Sequence, residues 1–431
     1  MFEVKRIISV FIALLFAAVF AVPNIAAVAA EGEFVPEGYD AHDYLLVREF
    51  LEIRDCEGVR NGEKLNAGYD PDDPATWVYA PWSGYITNVA AWNIDEPRRL
   101  TSFRVGYLPL TGALTLSGCE ALKTVSMEYT AMTALDVSGC GVLNEVTCIG
   151  GGISELSLEG CTALKWLDLT GNDIEGIELV GFPKLQFAYL DDNRITRIAL
   201  GDCPLLRDLR IANNLLTELD VSGLDELRQL NINGNLLSEI DVSANTKLNL
   251  IAACGNSFRR IDMNACSTRL SEVKGIGEGT VGYESFYYES VSETPRTNYV
   301  HAVPAEGCRF VGWYNDRGEL VSEEADFGGF SSAGYEDIDG HLEYVITHDP
   351  LELSGETFLA ARFVPEGEAF LLGDCDAGGE VDTTDALLTL RCALGIFEYG
   401  DDMLVRCDIN ANGVIDTADA LLILRTTLGV S

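Results

Sequence analysis

Basic residues are scarce in this chain: 29 lysines and arginines stand against 68 aspartates and glutamates, a formal net charge of −39 over 431 residues. A surface so acidic repels nucleic acid and anionic membrane, which sets nucleic-acid binding aside, and it favours solubility and cations such as calcium. Histidine is scarcer still. The four, His42, His301, His341 and His348, form no metal-spaced pair, and no Gly-x-Ser-x-Gly elbow occurs. The 12 cysteines are too few for a disulfide scaffold. Beyond Val22 no apolar run approaches the roughly 18 residues of a membrane span. Hydrophobic content is nonetheless ample for packed cores, and the length leaves room for about three domains.

What is present begins with a targeting segment. Lys5 and Arg6 precede an apolar run from Ile7 to Val22, and Ala27-Val28-Ala29-Ala30 supplies small residues for cleavage. Residues 1–30 therefore read as a signal peptide, and the mature chain as secreted, with no stable membrane insertion afterwards. Residues 31–100 are expected to form a cap. Asp43 to Ile53 has the spacing of an amphipathic helix, with Leu46, Val47, Phe50 and Leu51 apolar and charges between. Trp77, Trp82 and Trp92 follow in strand-like context, where core packing explains them better than a sugar platform.

The middle of the chain repeats with a period of 21. Leu122, Leu143, Leu164, Leu185, Leu206, Leu227 and Leu248 fall on that step, as do Asn172, Asn193, Asn214, Asn235 and Asn256. Cys119, Cys140, Cys161 and Cys203 share another phase, which suggests buried thiols, with disulfide pairing left open. Leu167 and Leu169 are two apart and point inward from one short strand. Ile174, Ile177 and Leu179 imply a second inward-facing segment on the opposite wall. One such unit cannot bury its apolar face alone, but stacked units form a continuous core. The recurring asparagine suits bonding to the backbone of the turn that leaves the strand. Thr130 and Gly151 hold its position in the first two units, where the ladder should be weaker. The pattern closely resembles a leucine-rich repeat over residues 101–268. In that family the outward strand positions bind partners; here they include Trp166, Asp168, Phe187, Tyr189, Asp191, Asp208, Arg210, Asn231 and Asn233. Trp166, Phe187 and Tyr189 should lie together, either anchoring a protein or glycan or merely shielding strand edges.

From residue 269 to 365 the period vanishes, and short aromatic and β-branched runs between turn residues predict a small β-domain. Phe310-Val311-Gly312-Trp313-Tyr314 and Ala361-Arg362-Phe363 resemble bacterial β-grasp-like repeats, with Trp313 as core. Gly277-Glu278-Gly279-Thr280-Val281-Gly282 matches a dinucleotide fingerprint literally, but a strand-like run follows it instead of a helix, so it reads as a turn.

Residues 366–431 hold a second duplication, with a step of 34. Asp374, Gly379, Asp382, Asp385, Leu387, Leu390, Arg391 and Leu394 reappear as Asp408, Gly413, Asp416, Asp419, Leu421, Leu424, Arg425 and Leu428. Each copy is an acidic loop followed by a helix. Calcium takes six to eight hard oxygens, and a twelve-residue loop offers them from positions 1, 3, 5, 9 and 12 plus the carbonyl of 7, with glycine at 6 for the turn. Asp408, Asn410, Asn412, Val414, Asp416 and Asp419 fill the second loop. Asp374, Asp376, Glu380, Asp382 and Asp385 fill the first, where Gly378 at position 5 offers no side-chain oxygen. Two calcium sites are expected, the first the weaker. Aspartate at position 12 and a single helix per loop resemble a type I dockerin. That resemblance implies docking to a cohesin through Thr383, Thr384 and Arg391 in one copy, and Thr417, Ala418 and Arg425 in the other, in two orientations related by a half turn.

The expected architecture is multidomain: a mainly β leucine-rich-repeat solenoid with an N-terminal cap, a small β-domain and an all-α calcium-binding dockerin. The expected role is non-catalytic, a secreted binding or adhesion protein moored by its dockerin to a cellulosome-like or surface scaffold. The alternatives are a component of polysaccharide degradation, for which only the cap region remains as a catalytic domain, and a freestanding host-cell adhesin or inhibitor.

Overall fold

The computed structural model describes residues 34–79, 87–266, 270–286, 297–328, 333–338, 341–346 and 358–429. The expected signal peptide and Trp82 lie outside them. The chain divides into two compact units, Met1–Leu143 with Glu155–Cys161, and Asn144–Ser154 with Thr162–Ser431. No helix among the described residues is long and apolar enough to cross a membrane.

The first unit opens with helix α1 (Ala41–Glu52), which starts two residues before the expected Asp43 because Asp40 caps it, accepting from the Asp43 backbone N–H at 3.2 Å. Tyr44, Leu46, Val47, Phe50 and Leu51 are its buried face, and Phe50 meets Phe103 edge to face at 5.6 Å. Helix α2 (Asn61–Leu65) follows. Trp77 is buried against Tyr44, 5.0 Å between ring centroids, and donates Nε1–H to the Asp70 carbonyl at 3.0 Å. Two walls of parallel strands follow: Leu100–Gly106 beside Thr124–Glu128, and Thr111–Thr115, Ala131–Asp136 and Glu155–Ser157. A first coil has no predecessor to satisfy its backbone, and the cap supplies one. Buried Asp43 accepts from Leu100 N–H at 2.9 Å, and Asn61 both accepts from Thr111 N–H (3.1 Å) and donates to the Thr111 carbonyl (3.0 Å).

In the second unit the period becomes a register. Glu145–Ile149, Trp166–Asp168, Phe187–Tyr189, Asp208–Arg210, Gln229–Asn231 and Leu250–Ala252 pair in parallel, Trp166 opposite Phe187 and Phe187 opposite Asp208. The opposite wall has Gly176–Val180 beside Arg197–Gly201. This is a β-solenoid of leucine-rich-repeat type. Each ladder asparagine is a rivet between coils: Asn214 donates to the Leu190 (3.0 Å), Ile211 (3.2 Å) and Ala212 (3.0 Å) carbonyls and accepts from Ile195 N–H (2.8 Å). Asn172, Asn193, Asn235 and Asn256 repeat that set.

A second ladder runs through the thiols. In the first unit Cys140 and Cys161 donate S–H to the Leu116 and Val137 carbonyls, each at 3.1 Å. In the second, Cys203 reaches Leu179 at 3.2 Å. All three are free and buried, and burial pushes their thiols up, Cys140 to about 12 and Cys161 to about 11. Asn245 takes the same phase, donating to Val221 (2.9 Å) and Leu224 (3.0 Å).

The solenoid's sheet runs on past residue 268. Strand Gly279–Phe286 joins it antiparallel, Glu284 opposite Ala252, and Thr297–Pro304 and Asp326–Gly328 extend it. An open parallel edge is thereby covered. Gly277, at φ +89°, stands in the turn between Glu272–Ile276 and Gly279–Phe286, so the fingerprint-like hexapeptide opens no helix. A second sheet orders Arg260–Asp262, Glu272–Ile276, Phe358–Pro365, Cys308–Tyr314 and Leu320–Ser322, with Trp313 fully buried. The tail holds helices α3 (Thr383–Ala393), α4 (Asp401–Cys407) and α5 (Thr417–Thr427). Helix α4 is additional to the one-helix-per-loop expectation; Asp401 and Asp402 in its first turn and Arg406 in its last suit the helix dipole.

Replacing Asn214 by alanine orphans buried groups in two coils and should cost about 3 kcal/mol or more in denaturant unfolding. Asn245→Cys keeps one donor for Val221, leaves the Leu224 carbonyl its bond from Leu227 N–H (3.1 Å) and removes a buried amide oxygen that has no partner, so it should leave stability equal or higher. A loss there as large as at Asn214 would contradict the donor-only character of the thiol phase.

Candidate binding sites

The strand residues that the period turns away from the core form one face of the second unit. Trp166, Phe187 and Tyr189 do meet: ring centroids lie 4.7 Å apart for Trp166–Phe187, 4.9 Å for Trp166–Tyr189 and 6.3 Å for Phe187–Tyr189. All three are half-buried: Trp166 packs against the other two rings, and arginines from the next coil cover Phe187 and Tyr189. The Arg207 guanidinium lies 4.4 Å over Phe187 and that of Arg210 lies 4.3 Å over Tyr189. Asp208 underpins the group. It is 4% exposed, and its carboxylate accepts from Arg210 Nε (3.2 Å), Arg210 Nη2 (3.0 Å) and the Tyr189 hydroxyl (3.1 Å). Burial opposes the Arg210 charge, but the hydrogen bond and charge of Asp208 outweigh it and raise its pKa.

The Trp, Tyr and Arg content of this network resembles that of protein-binding hot spots. Tilted or edge to face against one another, and with guanidinium groups over Phe187 and Tyr189, the rings leave little open face for a sugar. Asp168 and Asn231 sit half-buried beside them. Asp191 accepts from Ala212 N–H at 2.6 Å, and burial pushes its carboxyl up to about 6. The hairpin that continues the sheet adds Glu284, buried and accepting from Asn233 at 3.0 Å, and His301 paired with Asp326. These lie outside the 21-residue period, and no signal in the sequence joined them to the face.

The acidic loops of the tail share most of their hydrogen bonds, differing at Gly378 and Asn412. In the first, Asp374 accepts from Gly378 N–H and Gly379 N–H, both at 2.8 Å. In the second, Asp408 accepts from Asn412 N–H (3.0 Å) and Gly413 N–H (2.8 Å). Carboxylate oxygens of Asp374, Asp376 and Asp385 lie within 4.8 Å of one another. Ala377 and Ala411, at φ +57° and +56°, make the same left-handed bend. The ninth and twelfth positions also start the helices. Asp382 and Asp385, like Asp416 and Asp419, form reciprocal capping boxes, Asp385 accepting from Asp382 N–H and Asp419 from Asp416 N–H, each at 2.8 Å. In the second loop Asn412 donates to Asp416 at 2.9 Å and accepts from Val414 N–H at 3.0 Å. Burial pushes Asp408 up and Asp419 up to about 6. An all-oxygen donor set with buried carboxylates suits a hard divalent cation. Cys375, in the first loop, and Cys407, next to the second, are joined by a disulfide across a Cα–Cα distance of 5.5 Å.

The helices that follow are two-faced. Ala386, Cys392 and Ile423 face a shared core with Cys407, Ile409 and Ile415. On the other side Leu387, Leu390 and Leu394 are exposed, and so are Leu421, Leu424 and Leu428, 34 residues on. Thr383, Thr384, Arg391, Thr417, Ala418 and Arg425 are exposed as well. The leucines were visible in the duplication, but only their exposure separates them from core.

Asp191→Asn tests the electrostatics of the strand face. The folded pKa is raised, so the wild type binds this proton more tightly folded than unfolded, and stability is lost as pH rises from 3.8 through about 6. The amide keeps the acceptor without the charge. The variant should unfold at higher denaturant than wild type at pH 7.5, with the gain vanishing below pH 3.8. An equal difference at both pH values would sink this account.

No family model and no curated protein matches the chain. Among solved structures it is similar to the functional domain of InlJ from Listeria monocytogenes, which includes a cysteine ladder, at 17% identity and a TM-score of 0.22. That alignment covers 39% of this chain and 53% of the other, so the chain spans about half the length of that structure. At that TM-score the likeness establishes no shared arrangement, and the repeat character rests on this chain's own 21-residue strand register.

Proposed function

We propose that the protein is a secreted, non-catalytic binding protein whose tail is a calcium-loaded dockerin and whose solenoid captures a protein partner. The observation that carries the mooring role is the duplication itself. Two loops with the same hydrogen bonds each lead into a helix whose exposed stripe repeats as Leu387/Leu390/Arg391/Leu394 and Leu421/Leu424/Arg425/Leu428. Duplicated apolar stripes on a soluble tail are costly unless something covers them, and a cohesin domain is the partner that the dockerin resemblance implies. Asp374, Asp376, Asp382 and Asp385 with the Glu380 carbonyl, and Asp408, Asn410, Asn412, Asp416 and Asp419 with the Val414 carbonyl, would hold the two ions. For the solenoid, a protein partner is favoured over a glycan because arginine and neighbouring rings occupy the faces of Phe187 and Tyr189.

The test is capture of the mature chain by a panel of immobilised type I cohesins, with calcium and with chelator. Capture should require calcium and vanish in Asp374→Ala/Asp408→Ala. Leu387→Asp or Leu421→Asp alone should leave one usable face and weaken capture by only about twofold, whereas the pair should abolish it. Calcium binding without capture by any cohesin would retire the docking role and favour a freestanding adhesin. Trp166→Ala/Tyr189→Ala should retain cohesin capture and lose retention of the solenoid's partner from cell-surface extracts; undiminished retention would retire the aromatic face.

A further inference from the structure

We infer that Arg362 and Lys274, two cations of the second β-sheet, are positioning residues for the second acidic loop and clamp it from behind. The inference rests on the reading of Asp408–Asp419 as a calcium loop. Arg362, on strand Phe358–Pro365, is fully buried, at 0% exposure. Its guanidinium donates to the carbonyls of Val405 (2.5 Å), Asp408 and Ile409 (3.3 Å). Lys274, on the adjacent strand, donates Nζ–H to the Ala411 carbonyl at 2.9 Å. It also packs under the turn glycine, where a Cβ on Gly413 would lie 3.0 Å from Nζ.

Loop positions 1, 2 and 4 are thus gripped by their carbonyls from the sheet side. The side chain at position 1 is engaged within the loop, Asp408 accepting from Asn412 and Gly413 N–H. An apolar seam surrounds the grip, with Ile276, Ala360 and Val364 of the sheet against Val405 and Ala411 of the tail. The curvature that an ion requires is therefore imposed by the sheet before an ion arrives, and this loop is part of a unit larger than the tail.

Two effects oppose each other when Arg362 is lost. Removing a positive charge near the ion favours calcium, while loss of the guanidinium's bonds to Val405, Asp408 and Ile409, of which the Asp408 carbonyl keeps only a long bond from Ala411 N–H (3.4 Å), frees the loop to relax out of its bound curvature. A charge already matched to carbonyl dipoles and to the nearby Asp408 carboxylate contributes less repulsion than the lost charge-assisted hydrogen bonds contribute order. The net direction is weaker calcium binding, confined to the second loop.

The experiment is calcium titration of the full mature chain by calorimetry. The wild type should bind two ions. In an Asp374→Ala background, which leaves the second loop, Arg362→Met should weaken calcium by about tenfold or more, Arg362→Lys should recover part of that, and Lys274→Met should weaken it by about threefold. In an Asp408→Ala background, which leaves the first loop, the same changes should alter affinity by less than about twofold. A wild type that binds no calcium overturns the calcium reading and this inference together. Two wild-type sites with a second loop indifferent to Arg362→Met overturn the clamp alone. If Arg362→Met damages both loops through misfolding, Lys274→Met decides, and an unaltered second loop then overturns the clamp.

Discussion

A coil of 21 residues turns carbonyl groups toward an interior from which water is excluded, and no strand neighbour reaches them all. Along much of the repeat a side chain from the following coil supplies the missing donor. Asparagine and cysteine solve the problem with the same reach, both donating to a carbonyl 24 residues back. They are not equivalent. Asn214 returns an acceptor to Ile195 N–H, so its phase needs a donor and an acceptor at once. The thiol phase needs only a donor. Asn245 shows this, because it satisfies Val221 and Leu224 and leaves its own amide oxygen buried without a partner. Cysteine, a small apolar body with one weak donor, is the better match there, which explains a row of thiols raised far from reactivity by burial.

The same constraint governs the ends. Asp43 and Asn61 supply to the first coil what a preceding coil would have given, and a hairpin pairs with Leu250–Ala252 where a next coil would have stood. Whatever repeats could be read in the sequence: leucines and asparagines in step gave strand positions and register, because a parallel pair offset by one period conserves its phase. The terminating devices could not. They occur once each, and an aspartate in an amphipathic helix or an alternating run at 279–286 carries no mark of the edge it covers.

A similar division holds for the strand face. Period alone brings Trp166, Phe187 and Tyr189 together, yet it also turns Asp208 outward, and Asp208 is buried. The reason is local and non-periodic. Arg210 lies over Tyr189 and pairs with Asp208, so a residue facing away from the core acquires a second small core of rings and guanidinium groups. Arg207 adds to it from the same coil. Outward direction is a property of the repeat; exposure is a property of the neighbours.

The tail carries this reasoning one step further, because its repeat unit is built from side chains that serve two structures at once. Asp385 and Asp419 complete capping boxes for α3 and α5, and they are also the twelfth residues of the loops. On the proposed reading a helix start and an ion shell are therefore built from the same side chains. Buried carboxylates in a chain of net charge −39 repel one another, and burial, with the charges of Asp408 and Asp416 beside it, pushes Asp419 up to about 6. Backbone N–H groups from Asn410, Asn412, Gly413 and Asp416 offset part of that repulsion. In the second loop a guanidinium and an ammonium behind the backbone hold the same curve from outside. On the proposed reading the cation supplies what dipoles cannot, a full opposite charge inside a shell whose shape the protein has already fixed.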